Sequence, residues 1–224
     1  MIEKNTGLIY QWKRANQIDS SNIIVMLHGY GSHEMDLFSM AESLPAEAHI
    51  YSLRAPHRLP WGGYCWYTLN FSADGKVIGQ NLEEALASKE LIHRFISSIL
   101  ENHKIDLHTS KVLIMGFSQG AILGYSVALT YPESVSALVA MSGYLNRQIL
   151  PEQMEYSRLQ HLNILITHGT EDPVIPYDWA KKSAEFLEKN FINHRFYGYR
   201  AGHSIDIQAF EEIKKFVTKQ LSNF

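Results

Sequence analysis

The chain has 224 residues, of which 46% are hydrophobic and 19% charged, a composition typical of one folded globular domain, here spanning 1–224. A formal net charge of −3, with no run of lysines or arginines, argues against a nucleic-acid partner. The single cysteine, Cys65, excludes an intramolecular disulfide and favours a reducing compartment.

The start of the chain and its apolar runs do not suggest a secreted or membrane protein. The start lacks the basic region and apolar stretch of a secretory signal. No segment reaches the roughly 18 consecutive apolar residues that are needed to cross a bilayer. We therefore expect a cytoplasmic protein without a transmembrane segment.

Strand-length apolar runs alternate with helical patterns along the chain. Strands are predicted at 7–14, 22–27, 50–53, 111–117, 135–141, 163–167 and 193–199, the first being a candidate for an antiparallel strand. Helices are predicted at 81–102, 177–189 and 205–221. Several of the strand runs are almost continuously apolar, as expected of parallel strands covered on both faces. The pattern predicts an α/β fold with a mostly parallel open sheet and helices on both faces.

Two segments lie outside this alternation. Residues 56–79 carry five aromatic side chains and four glycines without a clear period, and are predicted to leave the sheet. They form either a local hydrophobic cluster or a wall that stacks against an acyl chain or an aromatic alcohol. The stretch between Met141 and Asn163 is too short for a full lid domain, so we expect an open site.

Residues 116–120, GFSQG, match the G-x-S-x-G pattern between a predicted strand and a helix. In an α/β-hydrolase this turn presents a nucleophilic serine at the carboxyl end of a strand, facing a helix N-terminus that stabilises an oxyanion. The sequence therefore predicts Ser118 as the nucleophile. The alternative interpretation is a tight glycine turn with an incidental serine.

A serine nucleophile requires a base and an acid, which follow it in that fold in the order acid, histidine. His203 lies in a loop between the last strand and the last helix, at the same sheet edge as Ser118. His168 leaves too little chain for an acid between it and the nucleophile. Asp172 is the predicted acid, and Glu171 is the alternative.

The residues 27–32, LHGYGS, follow the first strong strand, where this fold places an oxyanion-hole donor. The predicted donors are the backbone N–H groups of Tyr30 and Gln119. A metal site at His28 and His33 is disfavoured because no H-E-x-x-H spacing occurs, and no metal or other cofactor is predicted. His33, Glu34 and Asp36 are interpreted as the solvated start of a helix.

The motifs LHGYGS, GFSQGA, MSGYL, HGTEDPVIP and AGHS, in this order, resemble those of the phospholipase/carboxylesterase family, which includes acyl-protein thioesterases. The resemblance spans nearly the whole chain. It implies an α/β-hydrolase with the triad and oxyanion donors given above, and a homodimer is considered because homodimers occur in the family. The family's tryptophan near the acyl pocket has its counterpart in Trp66, with Tyr64 and Ile175 as further predicted substrate-binding residues. Tyr30 stands where the family commonly has leucine.

The predicted function is a serine carboxylesterase that hydrolyses small to medium acyl esters through an acyl-enzyme. Thioesters and lysophospholipids are included as substrates, so the expected partner is a small-molecule acyl ester. The alternatives are a peptidase or carbon–carbon hydrolase on the same fold, and a ligand-binding protein without catalysis.

Overall fold

The computed structural model describes residues 1–17, 20–103 and 110–222. The strands are β1 (Tyr10–Lys13), β2 (Asn22–Leu27), β3 (Ala48–Leu53), β4 (His57–Arg58), β5 (Tyr64–Cys65), β6 (Leu69–Phe71), β7 (Val77–Gln80), β8 (Val112–Phe117), β9 (Ala137–Met141), β10 (Asn163–Gly169) and β11 (Asn193–Tyr199). The α-helices are α1 (Met35–Phe38), α2 (Leu82–His103), α3 (Gln119–Thr130), α4 (Tyr177–Lys189) and α5 (Ile207–Leu221). Short 3₁₀ turns lie at Ala41–Ser43, Pro132–Ser134, Arg147–Ile149 and Tyr156–Leu159.

Within the described ranges, seven strands form the central sheet in the order β1-β3-β2-β8-β9-β10-β11. The edge strand β1 pairs antiparallel with β3, and every other neighbouring pair is parallel. The mostly parallel sheet and the antiparallel first strand are thus confirmed. Because parallel strands end at the same edge, the loops after β2, β8, β9, β10 and β11 meet there.

The inner strands of the sheet are almost continuously apolar, as expected where both faces are covered. Along β2, Ile23, Val25 and Leu27 pack in one core, which contains side chains of α2, α3 and α4. Ile24 and Met26 pack in the core on the opposite face, with α1 and α5. Helices therefore cover both faces, as predicted.

Residues 54–80 leave the central sheet, as predicted, and form two small sheets, β4–β5 and β6–β7. The sequence pattern missed these strands because two to four residues are too few to show a period. Trp66 and Tyr67 of this segment are buried, whereas Phe71, Val77 and Ile78 are exposed. Among the helices in the described ranges, none has the length and apolarity to cross a membrane.

Candidate active site

Ser118 occupies a strained turn between β8 and α3. Its φ of 53° and ψ of −116° place a residue with a side chain in the region that normally requires glycine. The Ser118 N–H donates to Met141 O at 2.8 Å, which fixes the turn to the end of β9. The side chain consequently projects at the edge where the parallel strands end.

Two glycines allow this turn to close. A Cβ on Gly116 would lie 2.3 Å from Gly120 O, and a Cβ on Gly120 would lie 2.0 Å from Leu27 O. Both distances are far below van der Waals contact. The G-x-S-x-G pattern is therefore required here by backbone approach, both across the turn and towards the loop that follows β2.

Ser118, His203 and Asp172 form one hydrogen-bonded chain. His203 Nε2 lies 2.9 Å from Ser118 Oγ, and His203 Nδ1 lies 2.7 Å from Asp172 Oδ2. The Asp172 side chain is fully buried, whereas 18% of the His203 side chain is exposed. These three residues, predicted from separate motifs, are brought together by the structure.

The structure also distinguishes the two candidate acids. Asp172 Oδ1 accepts the backbone N–H groups of Val174 at 2.8 Å and Ile175 at 2.9 Å, which turn the carboxylate towards His203. Glu171 points away and pairs with Arg200 at 2.9 Å, both side chains being largely exposed. Only Asp172 of this pair contacts the imidazole.

Tyr199 holds the loop that carries His203. The Tyr199 hydroxyl donates to Ser204 O at 2.7 Å. Burial raises the pKa of Tyr199 to about 12, so the phenol stays protonated and able to donate. The sequence analysis did not identify this contact.

The loop after β2 lies against Ser118, and His28 sets its orientation. Ala55 N–H donates to His28 Nε2 at 3.0 Å, so the ring proton is on Nδ1, which donates to Gly29 O at 2.7 Å. Burial lowers the pKa of His28, which favours this neutral ring. In a trans peptide the C=O and N–H groups point in opposite directions, so the bond to Gly29 O also fixes the direction of Tyr30 N–H. Since both ring nitrogens are engaged within the protein, His28 has no metal-binding role here.

A partly buried ion pair lies next to the same loop, with the Glu34 side chain buried and 26% of the Arg54 side chain exposed. Arg54 Nε donates to Glu34 Oε2 at 2.5 Å, and the guanidinium lies 4.7 Å from the centre of the Tyr64 ring. The hydrogen bond from Arg54 holds the pKa of Glu34 at about 2. The interpretation of Glu34 as part of a solvated helix start is therefore wrong, because Arg54, at the end of β3, meets it; His33 and Asp36 are exposed, as expected.

The sequence profile of the phospholipase/carboxylesterase family matches residues 14–221. The chain belongs to this family. It is 26% identical to acyl-protein thioesterase 1 of Kluyveromyces lactis over 219 residues, covering 90% of this chain and 93% of the relative. It is 30% identical to acyl-protein thioesterase 1 of Candida albicans over 183 residues, covering 78% and 68%. As a member of the phospholipase/carboxylesterase family, the protein is an ester hydrolase.

Solved structures of similar fold include a carboxylesterase from Bacillus cereus, with a TM-score of 0.80 at 20% identity, covering 97% of this chain and 96% of the other. Acyl-protein thioesterase 2 of Zea mays has a TM-score of 0.73 at 23% identity, covering 96% and 99%. These likenesses show that this phospholipase/carboxylesterase family member has the α/β-hydrolase fold.

The Gln119 side chain joins the start of α3 to the aromatic segment. Gln119 Oε1 accepts Trp66 N–H at 2.8 Å, and Gln119 Nε2 donates to Tyr67 O at 2.7 Å. As the first residue of α3, Gln119 also has a backbone N–H without an intrahelical acceptor. Its side chain and its N–H group thus serve different parts of the site.

The structure corrects the role predicted for Trp66. Its side chain has no accessible surface, because the ring is packed in the core and Nε1 donates to His28 O at 2.9 Å. Trp66 supports the loop after β2 and does not form a wall open to a substrate. Tyr64 also holds this loop, since Gly31 N–H donates to Tyr64 O at 2.9 Å and Tyr64 N–H donates to Ser32 O at 2.8 Å.

The third predicted substrate-binding residue, Ile175, is also mostly buried, and its backbone N–H binds Asp172. An open groove of about 580 Å³, lined by both aromatic and polar side chains, lies elsewhere. The rings of Tyr144 and Trp179 meet edge to face in it, with centres 4.8 Å apart. Tyr144 follows Gly143, on which a Cβ would lie 3.0 Å from Ser118 O. The sequence analysis missed both aromatic residues, although MSGYL was among the family motifs.

Proposed function

We propose that the protein is a serine hydrolase of acyl esters and thioesters, with Ser118 as nucleophile, His203 as base and Asp172 as the orienting acid. The observation that carries this proposal is the continuous chain of contacts from Ser118 Oγ through both ring nitrogens of His203 to Asp172. A carboxylate at Nδ1 holds the imidazole with its free lone pair on Nε2, facing the hydroxyl. Family membership supports the same chemistry.

The reaction proceeds in two acyl transfers. Ser118 Oγ attacks the carbonyl carbon while its proton passes to His203 Nε2, and the carbonyl oxygen becomes an oxyanion. His203 then protonates the departing alcohol or thiol, which leaves an acyl-enzyme. A water that gives its proton to His203 attacks this acyl group, and collapse of the second tetrahedral intermediate returns the proton to Ser118 and releases the carboxylic acid.

The oxyanion donors in this mechanism are the N–H groups of Tyr30 and Gln119. His28 orients the peptide that carries the first, and the helix start carries the second. Each donor of this kind contributes on the order of 3 kcal/mol to lowering the barrier. Both donors act through the backbone, so mutation can address the first only indirectly, through the His28 side chain that orients its peptide.

For the acyl group we propose small to medium chains that lie along the groove of Tyr144 and Trp179, in place of the wall first predicted at Trp66. The groove is open and partly apolar, which suits an aliphatic chain. The curated relatives are named acyl-protein thioesterases, which favours thioesters among the substrates. A cytoplasmic location and a homodimer stay predictions.

Hydrolysis of a p-nitrophenyl ester series and an acyl thioester by purified protein tests this proposal. Wild type should turn over both, and Ser118→Ala should lose activity by at least about 10⁴-fold. The matched control is Ser157→Ala, which alters an exposed serine in a 3₁₀ turn and should leave turnover unchanged. Undiminished turnover in Ser118→Ala contradicts the proposal, and cleavage of p-nitroanilides at ester-like rates favours a peptidase.

A further inference from the structure

His168 is a buried histidine that the mechanism above does not use. It lies on β10, and its side chain has no accessible surface. His168 and Asp172 are four positions apart in the sequence, and the turn between them brings the two side chains into contact. Buried titratable groups beside a reaction centre require a physical account, because their burial is costly.

His168 contacts the carboxylate that holds His203. Its Nε2 lies 2.9 Å from Ile175 O and 3.2 Å from Asp172 Oδ2, the oxygen that also meets His203 Nδ1. A carbonyl oxygen is an acceptor, so Nε2 carries the ring proton and donates it to Ile175 O, with the Asp172 carboxylate beside this bond. Burial lowers the pKa of His168, so the ring donates as a neutral group.

The His168 ring and the Asp172 carboxylate are coupled in two ways. Oδ1 accepts the N–H groups of Val174 and Ile175, and Oδ2 accepts the N–H of His203. His168 binds the carbonyl oxygen of Ile175, the residue whose N–H holds Oδ1, and its own polarised N–H lies close to Oδ2. Loss of His168 therefore frees a residue that orients the carboxylate and removes positive partial charge from beside it.

We propose that His168 is a positioning residue that fixes the Asp172 carboxylate and moderates its hold on the protonated His203. The inference rests on the proposed function, since it assigns a supporting partner to the acid of that mechanism. His168 does not touch the substrate. Its effect reaches Ser118 through Asp172 and His203.

The other ionisable groups around this pair do not offer the same contact. The Tyr177 ring lies 6.0 Å from that of His168, and its hydroxyl is packed against Gly198 of β11. Tyr199 donates to Ser204 O and faces Asp206 as well as Asp172. Glu171 and Arg200 pair with each other at the surface.

Two substitutions of His168 separate positioning from simple packing. His168→Leu removes the donor and introduces an apolar side chain, whereas His168→Gln keeps an N–H donor for Ile175 O. We expect kcat of His168→Leu to fall about tenfold with KM within about twofold, because the residue that holds Asp172 Oδ1 loses its hydrogen bond to His168. Because the less compensated carboxylate attracts the imidazolium more strongly, the acidic limb of kcat/KM should move up by about 0.5 pH unit. His168→Gln should recover most of both effects.

His161→Leu is the control, since it alters an exposed histidine bound to Pro132 O at 2.7 Å and should leave kcat and the pH limb unchanged. Thermal unfolding of each variant is measured alongside. If His168→Leu loses stability but retains the wild-type kcat and acidic limb, His168 is a packing residue and the inference fails. If His168→Leu does not fold, His168→Asn takes its place, and wild-type kinetics in folded His168→Asn overturn the inference. Undiminished activity in Ser118→Ala contradicts the proposed function itself, whatever the His168 variants do.

Discussion

Replacing Gln119 with leucine tests how the aromatic segment is held to the start of α3. The substitution keeps the side-chain length but leaves two buried main-chain groups, Trp66 N–H and Tyr67 O, without the partners seen at 2.8 and 2.7 Å. An unsatisfied buried group costs about 1–3 kcal/mol, so the two together cost about 4 kcal/mol. The extra apolar burial of leucine offsets about 1 kcal/mol. The free energy of unfolding should therefore fall by about 3 kcal/mol.

Urea unfolding followed by tryptophan fluorescence measures this loss, and a thermal scan should show Tm lower by roughly 6–12 °C. Gln148→Leu is the matched control, because Gln148 is exposed and meets only Gln80 at 3.3 Å through its side-chain oxygen. It should change the unfolding free energy by less than about 0.5 kcal/mol. Equal, small losses in the two variants refute the reasoning, since the Gln119 amide would then not hold residues 66 and 67.

Three further outcomes follow from the site and its surroundings. Asp172→Asn should lower kcat by about 10⁴-fold without unfolding the protein, whereas Glu171→Gln should retain wild-type turnover in the same steady-state assay. The pKa of Glu34 is lowered from 4.5 to about 2, so the stability that its pairing with Arg54 contributes is complete above pH 4.5 and is lost as the pH falls towards 2. In urea unfolding, Glu34→Gln should therefore lose less unfolding free energy than wild type over that pH range. Burial raises the pKa of Cys65 to about 11, so a thiol reagent at pH 8 should label it only after unfolding, and rapid labelling of the native protein contradicts the structure.

The central sheet could be predicted because burial on both faces leaves an almost continuous apolar run in the inner strands β2, β8, β9 and β10, whereas the edge strand β11 is partly exposed. Errors arose where a polar residue enters a strand. The strand predicted at 50–53 begins at Ala48, since His49 interrupts the run yet is buried and accepts Ala15 N–H at 3.2 Å. The predicted helix 177–189 and strand 193–199 match at both ends.

The candidate site could be predicted only as far as its motifs extend. The G-x-S-x-G turn, and an acid and a histidine that follow it in that order, can be recognised from short stretches of sequence. The partners of Trp66 and Glu34 come from distant segments and cannot. His28 and His168 were considered only as a metal ligand and as a base, and their supporting contacts were missed for the same reason. Each precedes a glycine at the end of a buried strand, β2 or β10, and this shared His-Gly pattern is the signal that could have singled them out. Their contacts with Ala55 and Asp172 required the fold.

The most direct test of Ser118 as the nucleophile is covalent labelling with a fluorophosphonate, followed by mass analysis of the digested protein. The proposed mechanism predicts one adduct on the folded protein, located on Ser118, with activity lost in proportion to labelling. Prior unfolding should prevent the adduct, because the His203 contact that activates the hydroxyl is then absent. An active, folded protein that remains unlabelled, or that is labelled at another serine, contradicts the account.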